Sequence, residues 1–383
     1  MLIEQYYPSI AEFTFAKTYG CSKYKASDNG MKDLTCERLI RHSQTYPHMQ
    51  IKDLFKYIFQ SSFGCEHLVS DLESSIAYIE SEWAGVGGDG TTLTEQLDGT
   101  YSRVHLSYLN NGLSPRTLGK IFYLSAKKES GGHEALSEKL QVAREMINEG
   151  LLPFSASEFD EALEVWSKLS YPAVRHSEEF RREYHPAYRV VADKYVRILP
   201  LLSQLDSLLK RGRVILAIEG GCASGKTTLA DMLKDIYECT VFHTDDYFLR
   251  PEQRTAKRLK EIGGNMDRER LEEEILKPLH NNVTEICYHP YNCATQELEA
   301  AVHITPEKLV IVEGVYSMHE DISEYYDYSV YLDIDSETRR SRISVRNSKE
   351  MAERFFNEWI PLEESYFINM RVKERCDLII HTS

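Results

Sequence analysis

Apolar residues recur at three- and four-residue steps through most of residues 1–205. Residues 49–59 set Ile51, Leu54, Phe55, Ile58 and Phe59 on one face, and residues 68–83 do the same with Leu68, Leu72, Ile76, Ile79 and Trp83. That spacing predicts helices with one buried stripe. Residues 85–90 (GVGGDG) interrupt the pattern as a loop. Residues 101–109 alternate instead, with Val104 and Leu106 set against Arg103 and His105, and predict a short strand. Ser114 and Pro115 form the cap and first turn of a helix reaching Lys127. A further amphipathic helix over 133–149 stops at Gly150. Ser155 and Glu158 make a capping box for the helix carrying Phe159, Leu163 and Trp166. Residues 187–209 read as one more helix, broken at Pro200.

Past residue 213 the rhythm changes. Short apolar runs at 214–218, 239–243, 308–312, 328–332 and 378–380 alternate with helical stretches such as 267–280. Strands alternating with helices predict a parallel sheet covered on both faces. The expected organisation is a mostly α-helical domain over 1–205, a linker at 206–212 and an α/β domain over 213–383 with a doubly wound sheet.

The first of those strands carries the strongest chemical signal. It runs into Gly220-Gly221-Cys222-Ala223-Ser224-Gly225-Lys226-Thr227, which fits G-x-x-x-x-G-K-[ST], and Thr228 then opens a helix. Strand, glycine loop and helix in that order form a phosphate cradle. Glycines let backbone N–H groups turn inward, and the helix N-terminus adds partial positive charge. Lys226 is expected to reach the outer phosphates of ATP, and the Thr227 hydroxyl to ligate Mg²⁺. Ligands of such sheets lie beyond the carboxyl ends of the strands. Asp245 and Asp246 follow the second strand, Asp267 lies in the next loop and Glu313 ends the third strand.

Composition narrows the partners. The chain has 383 residues, of which 42% are hydrophobic and 27% charged, an ordinary globular balance. A net charge of −15 argues against a nucleic-acid partner, because phosphate backbones attract basic faces. No apolar run approaches the ~20 residues of a membrane helix, and no secretory signal is visible at the N-terminus. The expectation is a cytoplasmic protein without a membrane partner. The eight cysteines lack C-x-x-C spacing and read as reduced. A homo-oligomer is compatible with this picture.

With GGCASGKTT, TDDYF, NMDRERL, VEGVYS and TRRSRISVR in hand, residues from about 213 to 383 resemble the uridine kinase and phosphoribulokinase group of P-loop kinases. The resemblance implies a kinase that passes a phosphoryl group from ATP, with Mg²⁺, to a hydroxyl of a small molecule such as a nucleoside. It implies that Asp245 is the general base, that Glu313 stands near the metal with Thr227, and that Asp246, Tyr247, Asp267 and Tyr291 face the acceptor. Arg339, Arg342 and Arg346 lie on one helix face, and the resemblance makes that helix a lid whose arginines meet the triphosphate. The segment around Tyr291 departs from the group: the His and Arg that read a pyrimidine do not follow it.

Residues 1–205 resemble no recognised family. Two polar clusters stand out, one holding Glu66 and His67, the other Arg175, His176, Arg181 and His185, with Arg103 and His105 able to join them. Arginines suit an anion and histidines suit acid–base work, so these residues form a candidate second site. Three readings follow. One is a kinase with an added domain that binds a ligand. Another is a switch in which ATP binding controls a partner's docking on the helical domain. The third is a bifunctional enzyme whose first half processes the kinase's product or its precursor.

Overall fold

The computed structural model describes residues 30–65, 71–86, 93–127 and 132–382. The chain divides into two compact units, residues 1–110 with 118–196, and residues 111–117 with 197–383.

In the first unit the described helices are α1 (Gly30–Thr45), α2 (Ile51–Phe63), α3 (Leu72–Trp83), α4 (Pro115–Ala126, from Leu118 onward), α5 (Gly132–Asn148), α6 (Ala156–Lys168) and α7 (Glu178–Tyr184). The apolar stripe read from 49–59 is the buried face of α2, with Leu54, Phe55, Ile58 and Phe59 all in the core. Phe55 stacks on Trp166 of α6 at 4.8 Å between ring centroids and meets Phe159 edge-on. The Ser155–Glu158 capping box is formed, each side chain bonding the other's backbone N–H. Of the polar loop at 85–90, only residues 85 and 86 fall among the described residues.

This unit also holds an antiparallel sheet of β1 (Thr94–Gln96), β2 (Tyr101–His105) and β3 (Tyr188–Ala192), in the order β1-β2-β3. The strand predicted for 101–109 ends at His105 and passes into a 3₁₀ turn, Leu106–Asn111. The helix predicted over 187–209 is corrected. Its start is strand β3, a helical turn follows at Asp193–Val196, and α8 spans Leu199–Leu209. Val190 and Val191 are β-branched and fit the pleated surface opposite Arg103 and Ser102 of β2. Pro200 occupies the first turn of α8, where its missing N–H has no helical partner to lose, so it starts the helix rather than breaking it.

The second unit is a five-stranded parallel sheet of β4 (Val214–Gly220), β5 (Cys239–His243), β6 (Leu309–Glu313), β7 (Tyr328–Asp333) and β8 (Leu378–His381). The spatial order is β8-β7-β4-β6-β5, the strand order of a doubly wound sheet. Every residue of β4 is buried, as expected for a central strand. The helix read over 267–280 is present as Arg268–Leu271 and Lys277–His280 joined by a π-helical turn. Two helices of this unit recur below, α9 (Lys226–Ile236) after the glycine loop and α10 (Ser336–Arg346) after β7.

The two compact units divide at 196/197, ahead of the linker expected at 206–212. Helix α8 belongs with the sheet because Asp206 is a hub for that unit. Its carboxylate accepts the N–H of Ser114 at 2.7 Å, the hydroxyl of Thr117 at 2.8 Å and that of Tyr237 at 3.0 Å. Among the described residues no helix is long and apolar enough to cross a membrane.

Candidate active site

The glycine loop joins β4 to α9, and the first helical residue is Lys226. Lys226 Nζ folds back over the loop and donates to Gly220 O at 2.8 Å and Gly221 O at 3.0 Å. A cation held by two carbonyls keeps its charge unmatched by a carboxylate, ready for an anion in the loop. Thr227 Oγ1 donates to Glu313 Oε1 at 2.9 Å. Ser224 is buried and its hydroxyl has no partner among the described residues.

Glu313 ends β6 directly opposite His243 at the end of β5. The two meet at 2.7 Å, His243 Nδ1 to Glu313 Oε1. Gly314 allows this close approach. A Cβ there would lie 1.8 Å from Thr244 Oγ1, and the backbone sits at φ +144°, which suits glycine alone. Thr244 Oγ1 then donates to Val315 O at 3.0 Å, tying VEGVYS to TDDYF.

The 3₁₀ turn Thr244–Tyr247 decides which of its side chains face the cleft. Asp245 and Asp246 turn outward. Tyr247 turns inward and is fully buried, its ring under the Arg270 guanidinium at 4.3 Å. The expectation that Tyr247 faces the acceptor is corrected: the turn sends it into the core. Tyr291 is also buried, with its hydroxyl accepting from Arg254 Nη2 at 2.7 Å. Asp267 is buried at the N-terminus of Arg268–Leu271. Its Oδ1 accepts the N–H of Arg270 at 3.3 Å and its Oδ2 accepts Gln253 Nε2 at 2.9 Å. Both oxygens therefore have protein partners.

Charge is distributed unevenly over these carboxylates. Asp245 is exposed at its surface, yet partial desolvation by the groups around it still raises its proton affinity, with Lys226 opposing. Asp246 is raised for the same reason, with His243 opposing. Burial also works against ionised Glu313, but hydrogen bonds from His243 and Thr227 outweigh it and hold that carboxyl below the usual range. The bond to Glu313 raises His243 against its own burial. One carboxylate is kept charged while its neighbour is primed to take a proton, a division of labour suited to acid–base work.

Two of the four arginines of α10 touch the loop. Arg339 Nη2 lies 3.4 Å from Cys222 Sγ, and Arg342 Nη1 donates to Ala223 O at 3.2 Å. Arg346 lies close enough to Asp245 to favour its ionised form.

The candidate second site in the first unit is assembled only in part. Glu66 and His67 lie outside the described residues. Arg103 is fully buried, donating from Nε and Nη2 to Gln60 Oε1 at 3.0 and 2.7 Å and from Nη1 to Glu95 Oε2 at 2.9 Å. Its guanidinium lies over the rings of Tyr57 and Tyr188. His176 Nδ1 meets Asp53 Oδ1 at 2.9 Å and Nε2 meets Tyr188 Oη at 2.7 Å. The carboxylate can only accept, so Nδ1 carries the proton and Nε2 accepts from the phenol. Burial lowers His176 to about 4, against the bond to Asp53. Burial would raise Asp53, but the bonds from His176 and Ser177 hold it at about 2. His105 leans on Tyr188 at 5.8 Å, while Arg175, Arg181 and His185 are exposed. Arg103 and His176 thus join one buried network, with Arg103 already matched by Glu95. Arg103, expected within a second ligand site, is an internal strut whose guanidinium is taken up by Gln60 and Glu95.

Several site residues escaped sequence reading. His243 adjoins TDDYF, and that adjacency was the available signal. Glu219 is a charge inside the apolar run VILAIEG and is completely buried. Burial pushes its carboxyl up to about 7, opposed by the N–H groups of Gly220 and Met318. Glu363 and Gln253 carried no local signal.

A model of the phosphoribulokinase / uridine kinase family matches residues 215–355. A uridine kinase of Lactobacillus helveticus (strain DPC 4571) is 30% identical over 146 residues, 36% of this chain and 69% of that protein. A phosphoribulokinase of Synechocystis sp. is 28% identical over 159 residues, 40% of this chain and 45% of that one. A solved structure of a possible uridine kinase from Bacillus stearothermophilus is 22% identical. It covers 47% of this chain and 98% of that chain at a TM-score of 0.35.

Proposed function

The chain belongs to the phosphoribulokinase and uridine kinase family through its second unit, and on that premise we propose that it transfers the γ-phosphate of ATP to a hydroxyl of a small molecule, a nucleoside or related metabolite. The observation that carries the reading is the place of Asp245, two residues past His243, whose ring meets Glu313 at 2.7 Å beside the Thr227 hydroxyl that opens the helix after the glycine loop. A pure nucleotide switch has no use for a proton acceptor aimed into that cleft. In the reaction Asp245 takes the proton of the acceptor hydroxyl as its oxygen bonds to the γ-phosphorus. The bond from that phosphorus to the β–γ bridging oxygen breaks, and ADP leaves. Lys226 and the loop N–H groups offset charge on the phosphoryl oxygens.

Thr227 Oγ1 and Glu313 Oε1 are hard oxygen donors 2.9 Å apart, the donor type Mg²⁺ prefers. These two residues would hold the ion. Bound there, Mg²⁺ neutralises charge on the β- and γ-phosphates.

The segment after Tyr291 supports an acceptor other than a pyrimidine nucleoside. Cys293 and Gln296 stand in that stretch, and it lacks a His–Arg pair. The test is an ATP-consumption screen of the full-length protein against nucleosides, sugars and small alcohols, with Asp245→Asn beside it. Acceptor-dependent ADP release by the wild type alone is expected. Failure of every compound in the panel to prompt ADP release, while ATP alters only the protein's association with other proteins, would overturn the reading.

A further inference from the structure

Glu363 sits on α11 (Ile360–Asn369), 141 positions beyond Cys222, and is only 6% exposed. Its Oε2 accepts the backbone N–H of Cys222 at 2.9 Å, and the same oxygen takes Arg339 Nη2 from α10. Arg339 is itself buried. It covers Gly221 so closely that a Cβ there would stand 2.8 Å from its Nη2. One turn further along α11, Tyr366 donates to Glu219 Oε2 at 2.9 Å, and Glu219 Oε1 accepts the N–H of Gly220 at 2.8 Å. Helix α11 therefore grips the loop backbone on both sides of Gly221, directly at Cys222 and through Glu219 at Gly220. An apolar cluster of Ile343, Ala352 and Ile360 packs with Cys222 and Ala223 beside this grip.

We infer that Glu363 is a positioning residue, which with Arg339 clasps the phosphate loop to α10 and α11 and fixes the loop backbone for phosphate. The functional consequence rests on the kinase reading. A buried carboxylate is costly alone and becomes tolerable when a guanidinium and a backbone N–H share it. Arg339 is then a strut with its charge already matched. Arg342 rests on the carbonyls of Ala223 and Thr382, and among the described residues neither it nor Arg346 pairs with a carboxylate. With Arg340 lying over the Phe356 ring at 4.0 Å, those two are the cations α10 can offer to a triphosphate.

The test uses the full chain with Glu363→Ala, Glu363→Gln, Arg339→Met and the Glu363→Ala/Arg339→Met double variant. Hydrogen exchange of the 219–225 amides is read without nucleotide, and equilibrium affinity for ATP–Mg²⁺ is read beside it. Each truncation should speed loop exchange and weaken ATP by about tenfold, with the double variant no worse than either alone, the mark of a coupled pair. Glu363→Gln keeps an acceptor for Cys222 N–H and should recover most of the protection, which a general loss of fold would not. Unchanged loop exchange in folded Glu363→Ala overturns the clasp. So does ATP binding weakened in Arg339→Met but not in Glu363→Ala, which would make Arg339 a direct phosphate ligand. If the wild type binds no ATP but loop exchange responds as described, the clasp stands and the kinase reading falls.

Discussion

His243 Nδ1 stands 2.7 Å from Glu313 Oε1, the same oxygen that accepts the Thr227 hydroxyl. One carboxylate oxygen thus joins the end of β5, the end of β6 and the start of α9. Groups that orient a metal-binding carboxylate typically change metal affinity by about 10–100-fold when removed. His243→Phe is therefore expected to raise the Mg²⁺ concentration for half-maximal turnover by about tenfold or more, with melting little changed. Titrating Mg²⁺ at saturating ATP checks this. An unaltered Mg²⁺ requirement would assign His243 to packing alone.

Asp245→Asn keeps the size of the side chain but cannot take a proton. ATP binding should remain near normal while single-turnover phosphoryl transfer drops by about 10²–10⁴-fold. The pH profile carries a second signature. Asp245 must be ionised to act, and its proton affinity is raised by desolvation. Wild-type transfer should fall on acidification at a pH above that of an ordinary aspartate, and this acid limb should vanish in the variant. Transfer within about threefold of wild type, against the ~10²-fold expected, would move the role to Asp246.

The His176–Asp53 pair predicts how acid acts on the first unit. His176 is lowered to about 4 by burial, below its unfolded value of 6.5. Between those values the unfolded chain binds the proton that the folded one refuses, so stability falls as pH drops from about 6.5 to 4. Asp53, held at about 2, adds a loss in the same direction at lower pH. His176→Gln removes the titrating group, so the melting advantage of wild type over the variant should shrink between pH 7 and pH 5. A constant difference would show that His176 titrates alike in the folded and unfolded chains, with no lowering by burial.

Asp206 predicts the limits of a separable second unit. A fragment starting at residue 197 keeps the Tyr237–Asp206 hydrogen bond and the apolar face of α8, whereas one starting at 213 loses both. The longer fragment should melt higher, because without α8 and its four buried leucines the side of the sheet at β4 on which the helix packs is left uncovered. Equal melting of two folded fragments would make α8 dispensable and restore the boundary near 206–212.

The sequence alone determined whatever depends on neighbours along the chain. The glycine loop, its flanking strand and helix, the five apolar strands and the α2 stripe were legible because backbone turning and one-sided burial leave a local period. Asp245 and Glu313 could be read as strand-end carboxylates for the same reason. Tertiary structure decided what depends on residues far apart in the chain. Strand β3 is a strand because β2 lies beside it, and no pattern within 187–209 announces that partner. Tyr247 and Asp267 lost their expected exposure because a 3₁₀ turn and a helix cap turned them inward. Arg103 became an internal strut once Glu95 and Gln60 closed around it. Glu363 reaches the phosphate loop only because α10 and α11 fold back over it. Hydrogen-bond partners more than a hundred residues apart are chosen by packing, and packing leaves no period in the sequence.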